Sequence, residues 1–506
     1  MKGKIKILSL LLALTMVSSM FVACKGEEKP TGDSSKPTGE KPAEVTEISW
    51  YAWGDKPNQA ATVEAALNEK SVKDIGIKVN FKWQTSNDES LRTTLASGDK
   101  DVDIAFACGW FADYVGSAQK NYFMDLTDML PTVAPDLYKK LPKTLWDGVK
   151  VDGKIYGIPT WKDSAAVQYW LGRKDILEAA NATEVFSQAG LKTATLTPTL
   201  EKIKAWHDAD PAKNLYSEGN TAPINFNKAG LNGHNTGWDE LQADLRIGVK
   251  IAAGNTKVQS YYTDPDYIAE FKTLKDWADR GLSNGKVALQ VEQEPQLITV
   301  STAQGWDGAQ FTAWGGPVKG YDTLIQKKAG PFLTSGYVQG GVNVVGAGSK
   351  KAEAALKYLQ YVNTNAEYRN MLTYGIKDTN WKEVDGTAEV LTGQDWAPGN
   401  FGLGSYDLLL PGKGCPPTMY TDLCETVNTA EASELLGFVP SIDKIANEIA
   451  ACVSLIQEVM QPLQCGAVKD VEAEVASLLK KLDAQGYQKF IDEYKSQVDA
   501  FLAAKK

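Results

Sequence analysis

The sequence predicts an α/β fold built on a mostly parallel sheet. Two observations carry this expectation. Between Glu47 and Ala107, short β-branched or alternating runs are interleaved with helix-like runs, the pattern of strands joined by crossover helices. The chain of 506 residues, with 43% hydrophobic and 23% charged residues, also has the composition of an ordinary globular protein and length for two or more cores.

The elements follow in order. Ile48-Ser49-Trp50-Tyr51-Ala52-Trp53 is β-branched and aromatic, and Gly54 to Asn58 reads as a turn. The alanines and leucines from Gln59 to Asn68 suggest a helix, and Ile77 to Trp83 alternates as a half-buried strand does. Ser86-Asn87-Asp88-Glu89 offers an N-cap and first-turn acids to the next helix, which stops near Gly98. Val102 to Ala107 follows as a short buried strand ending at Cys108-Gly109-Trp110-Phe111. Ligands of such sheets bind beyond the carboxyl ends of the strands, where Trp53 and Trp110 emerge. Further on, Asp152-Gly153 signals a hairpin turn, and Tyr156 to Pro159 an extended segment. Residues 164–175 read as a strand with Val167, Tyr169 and Leu171 on one face. Asp264 to Asn284 is a capped amphipathic helix with Ile268, Phe271, Leu274 and Trp277 inward and Gly281 at its end.

The N-terminus has another character. Lys2, Lys4 and Lys6 precede an apolar run from Ile7 to Ala23, the layout of a secretory signal peptide. An uncleaved membrane helix is the competing reading, because the run is only a little shorter than the ~20 apolar residues needed to span a bilayer. Phe21-Val22-Ala23-Cys24 resembles the lipoprotein cleavage box of bacteria, which makes residues 1–23 a signal peptide and Cys24 the site of lipidation. Phe21 stands where that box usually has Leu. Residues 24–46, rich in Lys, Glu, Pro, Gly, Ser and Thr, cannot bury enough surface to fold and read as a disordered tether.

Composition and motifs exclude several functions. A formal charge of −10 argues against nucleic acid, whose phosphates need clustered Lys and Arg. The six cysteines include no CxxC pair, so zinc-ribbon and thioredoxin readings have no support. Cys415 with Cys424, or Cys452 with Cys465, suits a disulfide outside the cell, and buried free thiols, Cys108 among them, are an equal alternative. His207 and His234 are the only histidines, one on a helix-like run and one in a Gly- and Asn-rich loop. No G-x-S-x-G elbow, HExxH, P-loop or strand-linked GxGxxG accompanies them. The acidic stretches at Asp208-Ala209-Asp210 and Asp264-Pro265-Asp266 lack EF-hand spacing and suit helix caps better than a metal. No cofactor or metal is therefore expected. A glycoside hydrolase needs only two carboxylates, which 63 Asp and Glu residues leave open.

The order of these elements is similar to that of the bacterial extracellular solute-binding proteins of ABC importers, carbohydrate type. The resemblance rests on the helix ending Ala96-Ser97-Gly98-Asp99, on Asp103-Ile104 with its Gly-Trp loop, and on Gly153-Lys154-Ile155-Tyr156-Gly157-Ile158-Pro159. Gly340 to Tyr361, read as a returning strand and helix, agrees with it, and the stretch from Leu435-Leu436-Gly437-Phe438 to Lys506 resembles the extra C-terminal helices of one lipoprotein subgroup. The resemblance implies a two-lobed periplasmic-binding-protein-like α/β fold with several hinge crossovers and a ligand cleft between the lobes. Lobe one is then expected at 47–160 plus 325–365 and lobe two at 161–324 plus 366–506. It further implies a receptor, not an enzyme, that captures a carbohydrate by lobe closure and delivers it to ABC permease subunits. A monomer held outside the cytoplasm by lipid on Cys24 is expected. A surface-tethered glycoside hydrolase and a receptor for peptides or another small solute are the alternatives.

Fourteen tryptophans point to the same ligand class. A sugar presents a weakly polar CH face to aromatic rings and hydroxyls to carboxylates and amides. Trp53, Trp110, Trp161, Trp238, Trp306 and Trp314 fall at strand ends or in Gly-rich loops, while Trp206 and Trp277 have helical company that suits a core. With them, Asp55, Asp88, Glu89, Asp163, Asp307 and Asn343 lie beside the same junctions and complete the candidate ligand-binding set.

Overall fold

In a computed structural model of the chain, residues 45–85, 88–210, 223, 237–283, 299–312, 320–393, 395–441 and 446–505 are described. The apolar N-terminal segment, Cys24, His234 and Trp314 lie outside the described residues.

The first elements follow the predicted alternation: β1 (Thr46–Tyr51), α1 (Ala60–Ile75), β2 (Ile77–Phe81), α2 (Glu89–Ala96) and β3 (Ile104–Ala107). β1 runs parallel to both β2 and β3. In β2, at the sheet edge, Ile77, Val79 and Phe81 are buried and Lys78 and Asn80 exposed, whereas β3 is buried throughout, as a central strand covered on both faces must be. Asp152 and Gly153, with φ of 50° and 80°, turn the small hairpin ahead of β4 (Gly157–Pro159).

The chain then enters a second body through β5 (Ala166–Arg173) and α3 (Thr193–Asp208). β6 (Trp238–Gln242), β7 (Ile247–Lys250) and β8 (Val258–Ser260) form an antiparallel meander. α4 (Pro265–Asp279) is capped by the Asp264 carboxylate, which accepts from the N–H groups of Asp266 and Tyr267. β9 (Val300–Gln304) and β10 (Thr323–Leu333) flank β5, both antiparallel to it. Within the first sheet the expected parallel arrangement is thus limited to β1–β3. Val167, Tyr169 and Leu171 share one face of β5, and Trp170 turns to the other.

β11 (Val342–Val344) returns to the first sheet between β3 and β4, antiparallel to both, giving the order β2-β1-β3-β11-β4. α5 (Ala352–Thr364) and α6 (Ala366–Tyr374) bury Tyr358 and Tyr368 against it. α7 (Met419–Thr429) leads to β12 (Glu431–Ala432), parallel to β10, and α8 (Ala446–Gln464), α9 (Val471–Ala484) and α10 (Tyr487–Lys505) cover the second body.

Two hydrophobic cores result. One gathers Trp50, Phe106, Tyr358 and Leu403, the other Trp170, Trp277, Cys452 and Tyr494. The chain passes between them near Ala165, near Leu333 and between Val427 and Leu435, so several crossovers join the lobes. Tyr368, Leu372, Trp396, Leu403, Cys424 and Val427, which the sequence division assigned to the second lobe, pack in the first core. α6 follows α5 directly, with the Asn365 side chain capping it, and is tied to the first lobe by Lys70 of α1, which pairs with Glu367 at 2.9 Å. Trp277 is fully buried and Trp206 partly buried, both against the second core. All five described cysteines are free and buried, so neither considered disulfide is formed and the thiols act as small core groups.

A candidate ligand cleft with an exposed tryptophan platform

Between the two cores lies a cleft of about 670 Å³. Its first-lobe wall is built around Trp110, its second-lobe wall around β6, and its floor from the crossover segment Thr334–Gly340.

The loop after β3 explains Trp110. Cys108 N–H donates to the Phe111 carbonyl at 2.8 Å, which forces a tight reversal. Ala112 and Asp113 follow at φ of 56° and 43°, a left-handed conformation unfavourable for residues with a Cβ. Surrounding bonds hold it: Ala112 N–H donates to Asp88 Oδ2 at 2.6 Å, the Ser117 hydroxyl to the Ala112 carbonyl at 2.7 Å, and Gly116 N–H to Asp113 Oδ1 at 3.2 Å. Strain over-determined in this way is typical of functional sites. Its result is a tryptophan 59% exposed, the most exposed large hydrophobic side chain among the described residues.

The indole does not float. Trp53 meets it edge-on at 5.7 Å, and Phe106 and Phe401 lie at 6.1 and 6.2 Å. Phe401 in turn packs on Trp53 at 4.8 Å. The loop carrying Phe401 is fastened by the fully buried Arg369, whose guanidinium donates to the carbonyls of Asn400, Gly404 and Ser405 and to Asn400 Oδ1.

Across the cleft, Trp238 is buried against Tyr261, ring centroids 4.2 Å apart. Burial pushes the Asp239 carboxyl up to about 6, against a hydrogen bond from Ser433 that favours its ionised form. Glu240 forms an ion pair with Arg246 at 3.7 Å. Successive residues of a strand point to opposite faces, so these two carboxylates do not converge on one point. At the floor, Gln339 donates to the Gly148 carbonyl, and burial raises the Tyr337 hydroxyl far above its ordinary range.

Of the predicted residues, Trp110 thus lines one wall and Trp238 the other, with Trp53 packed against Trp110 and Asp88 bonded to its loop. Asp88 acts through the loop, because its carboxylate is turned to Ala112 N–H and makes no side-chain cap to α2. Asp55 is exposed on the turn after β1. Glu89 is exposed beside a shallow polar depression with Trp83, Ser90 and Thr93. Asp163 bonds to Lys162 at 2.6 Å and Gln304 at 3.2 Å, and Asp307 accepts from the Tyr169 hydroxyl at 2.9 Å, with Trp306 half-buried beside it. Trp161 lies in the first core, its indole N–H donating to the Cys424 carbonyl at 3.0 Å. Asn343, 1% exposed on the central strand β11, donates to the Gly402 carbonyl. Neither Trp161 nor Asn343 reaches the cleft surface in this conformation.

Sequence reasoning missed Asp239, Glu240, Tyr337, Phe401 and Phe438. Only the first two carried a signal, as the acids directly following Trp238. Among the described residues no cluster of three or more His, Cys, Asp or Glu side chains is arranged to hold a metal. His207 faces Asp208 at 3.4 Å on α3.

Similarity to known proteins agrees with this architecture. The chain is 25% identical over 490 residues, 94% of either chain, to a carbohydrate ABC transporter substrate-binding protein of Streptococcus pneumoniae serotype 4. Its fold matches the crystal structure of the N-glycan transport solute-binding protein NgtS of S. pneumoniae with a TM-score of 0.78 at 24% identity, covering 91% of this chain and all of that one. The chain has the two-lobed solute-binding-protein fold. Within that fold, the NgtS complexes with Man5GlcNAc and Man1GlcNAc match less closely, with TM-scores of 0.65 and 0.67 at the same 24% identity. An HMO-binding, ABC-transporter-associated solute-binding protein of Bifidobacterium longum infantis matches with a TM-score of 0.58 at 15% identity, over 90% of this chain and 99% of that one. The domain of unknown function DUF3502 matches residues 434–503, the α8–α10 region of this fold.

Proposed function

We propose that the protein is the extracellular receptor of an ABC importer that captures an oligosaccharide between its lobes and hands it, unaltered, to a membrane permease. The observation that carries this reading is Trp110, a rigidly backed and open aromatic platform on the wall of an interlobe cleft. An exposed indole leaves apolar surface in contact with water, which is unfavourable, and a ligand with an apolar face and hydroxyl edges relieves this by covering it. The Streptococcus relatives support a carbohydrate, and those of N-glycan type suggest mannose-rich chains as the first to try.

The lower likeness to the two ligand-bound NgtS structures, at unchanged sequence identity, supports an open state here that closes on ligand. Closure follows if the glycan touches both lobes and therefore binds the closed state more tightly. Small-angle scattering of the mature chain with and without Man5GlcNAc tests this: a smaller radius of gyration with glycan is expected, and an unchanged one at saturating ligand rejects closure.

Lipid on Cys24 would hold this receptor, a monomer, at the outer face of the membrane, with residues 24–46 as a tether. Two or more acyl chains anchor stably where one does not. Cys24→Ala is expected to release the protein into the medium with glycan affinity intact. Retention at the membrane would point to an uncleaved N-terminal helix.

A further inference from the structure

The second lobe contains a separate pocket of about 440 Å³, within the ~300–1,000 Å³ typical of ligand sites. It lies between the sheet strands β5 and β10 and the first turns of α3 and α4, and shares only Trp238 with the cleft. Three of its buried polar atoms have no hydrogen-bond partner: Lys328 Nζ, Gln168 Oε1 and Tyr267 Oη. Such orphans are rare in folded proteins, because each forfeits its hydration without replacement. Here the residues that carry three of them, from three different elements, line one pocket.

The strand geometry accounts for the lysine. In the β5–β10 ladder Lys327 pairs with Tyr169 and Ala329 with Gln168, so Lys328 is the extra residue of a bulge. Bulges re-aim side chains and occur beside binding sites. The Lys328 side chain is only 5% exposed and lies 4.7 Å from the Trp170 ring centroid. Glu270, the nearest carboxylate, is 3.7 Å away and already accepts from the Thr193 hydroxyl. Burial pulls the ammonium pKa down, and Glu270 partly offsets this.

The lining also selects. Lys328 is balanced by Glu270, and Lys250 and Lys192 by Asp264 and Asp266, so neither sign of charge is left in excess. The unmet groups are an ammonium and a phenol that donate and an amide oxygen that accepts, set among the rings of Trp238, Tyr267 and Phe332. Hydroxyls, which donate and accept at once, satisfy all three.

We propose that this pocket is a second binding site, distinct from the cleft, for a neutral polyhydroxylated ring the size of one sugar unit. This assignment is independent of the cleft reading. The test uses the mature chain carrying Trp110→Ala, which weakens the cleft, with methyl mannoside and methyl N-acetylglucosaminide as probes in saturation-transfer NMR and titration. At least one glycoside is expected to bind to this chain as well as to the unsubstituted one. Adding Lys328→Met or Tyr267→Phe is expected to weaken that binding about fivefold or more, the worth of one hydrogen bond. Tyr267→Phe removes a single oxygen, which keeps the test open should Lys328→Met fail to fold. The proposal is overturned if neither glycoside binds the Trp110→Ala chain, if only glucuronate or glucosamine does, or if the folded variants bind as tightly as their parent.

Discussion

Replacing Trp110 by alanine is expected to weaken oligosaccharide binding at least tenfold, about 1.4 kcal/mol, with almost no change in thermal stability. The two halves of this result have one cause. An indole that is 59% exposed contributes little to the core, so its removal leaves the fold intact. Its binding contribution is large because Trp53, Phe106 and Phe401 hold it in place before ligand arrives, and little ordering entropy is lost on association. Trp110→Phe should keep part of the affinity, because a smaller ring still offers a face. Calorimetry and a melting curve on the same preparations read both quantities. Unchanged affinity would mean that the ligand does not rest on this wall.

Arg369→Met is expected to cause the largest loss of stability of any single change considered, about 3 kcal/mol or more. The guanidinium is fully buried, and its donors serve the carbonyls of Asn400, Gly404 and Ser405, the Asn400 amide oxygen and the Thr373 hydroxyl. Methionine fills similar space but leaves the Gly404 and Ser405 carbonyls without donors, while the Asn400 carbonyl keeps only the Leu403 N–H. Because residues 400–405 carry Phe401, the same change should also lower glycan affinity, through a less firmly held Trp110. Denaturant unfolding measures the first effect and calorimetry the second. A midpoint within error of the native protein would show that water replaces the guanidinium at no cost.

Much of the secondary structure was legible because its signals are local. The alternation in Ile77–Phe81, the acid cap at Asp264 and the hairpin at Asp152-Gly153 each depend on residues within a few positions of one another. The candidate site was less legible, for the opposite reason. A tryptophan after a strand carries the same sequence signature whether its loop turns outward, as at Trp110, or folds under, as at Trp161, whose partner Cys424 lies 263 residues away. Asn343 sits beside a junction in sequence but on a central strand in space. The lobe boundary near residue 366 was misplaced because the contacts that keep α6 in the first lobe, among them Lys70 to Glu367, join residues far apart in the chain and are invisible to local pattern. The second lobe's antiparallel sheet was hidden likewise, since strand direction follows from connections and not from strand composition.

The central claim is recognition of an oligosaccharide without chemistry, and one titration tests it most directly. The mature protein is titrated calorimetrically with Man5GlcNAc, and the glycan is recovered afterwards and sized by chromatography. Saturable binding at micromolar or tighter affinity with the glycan intact is the predicted result. Absence of heat with this and every other member of a glycan panel, or recovery of shortened products, would contradict it.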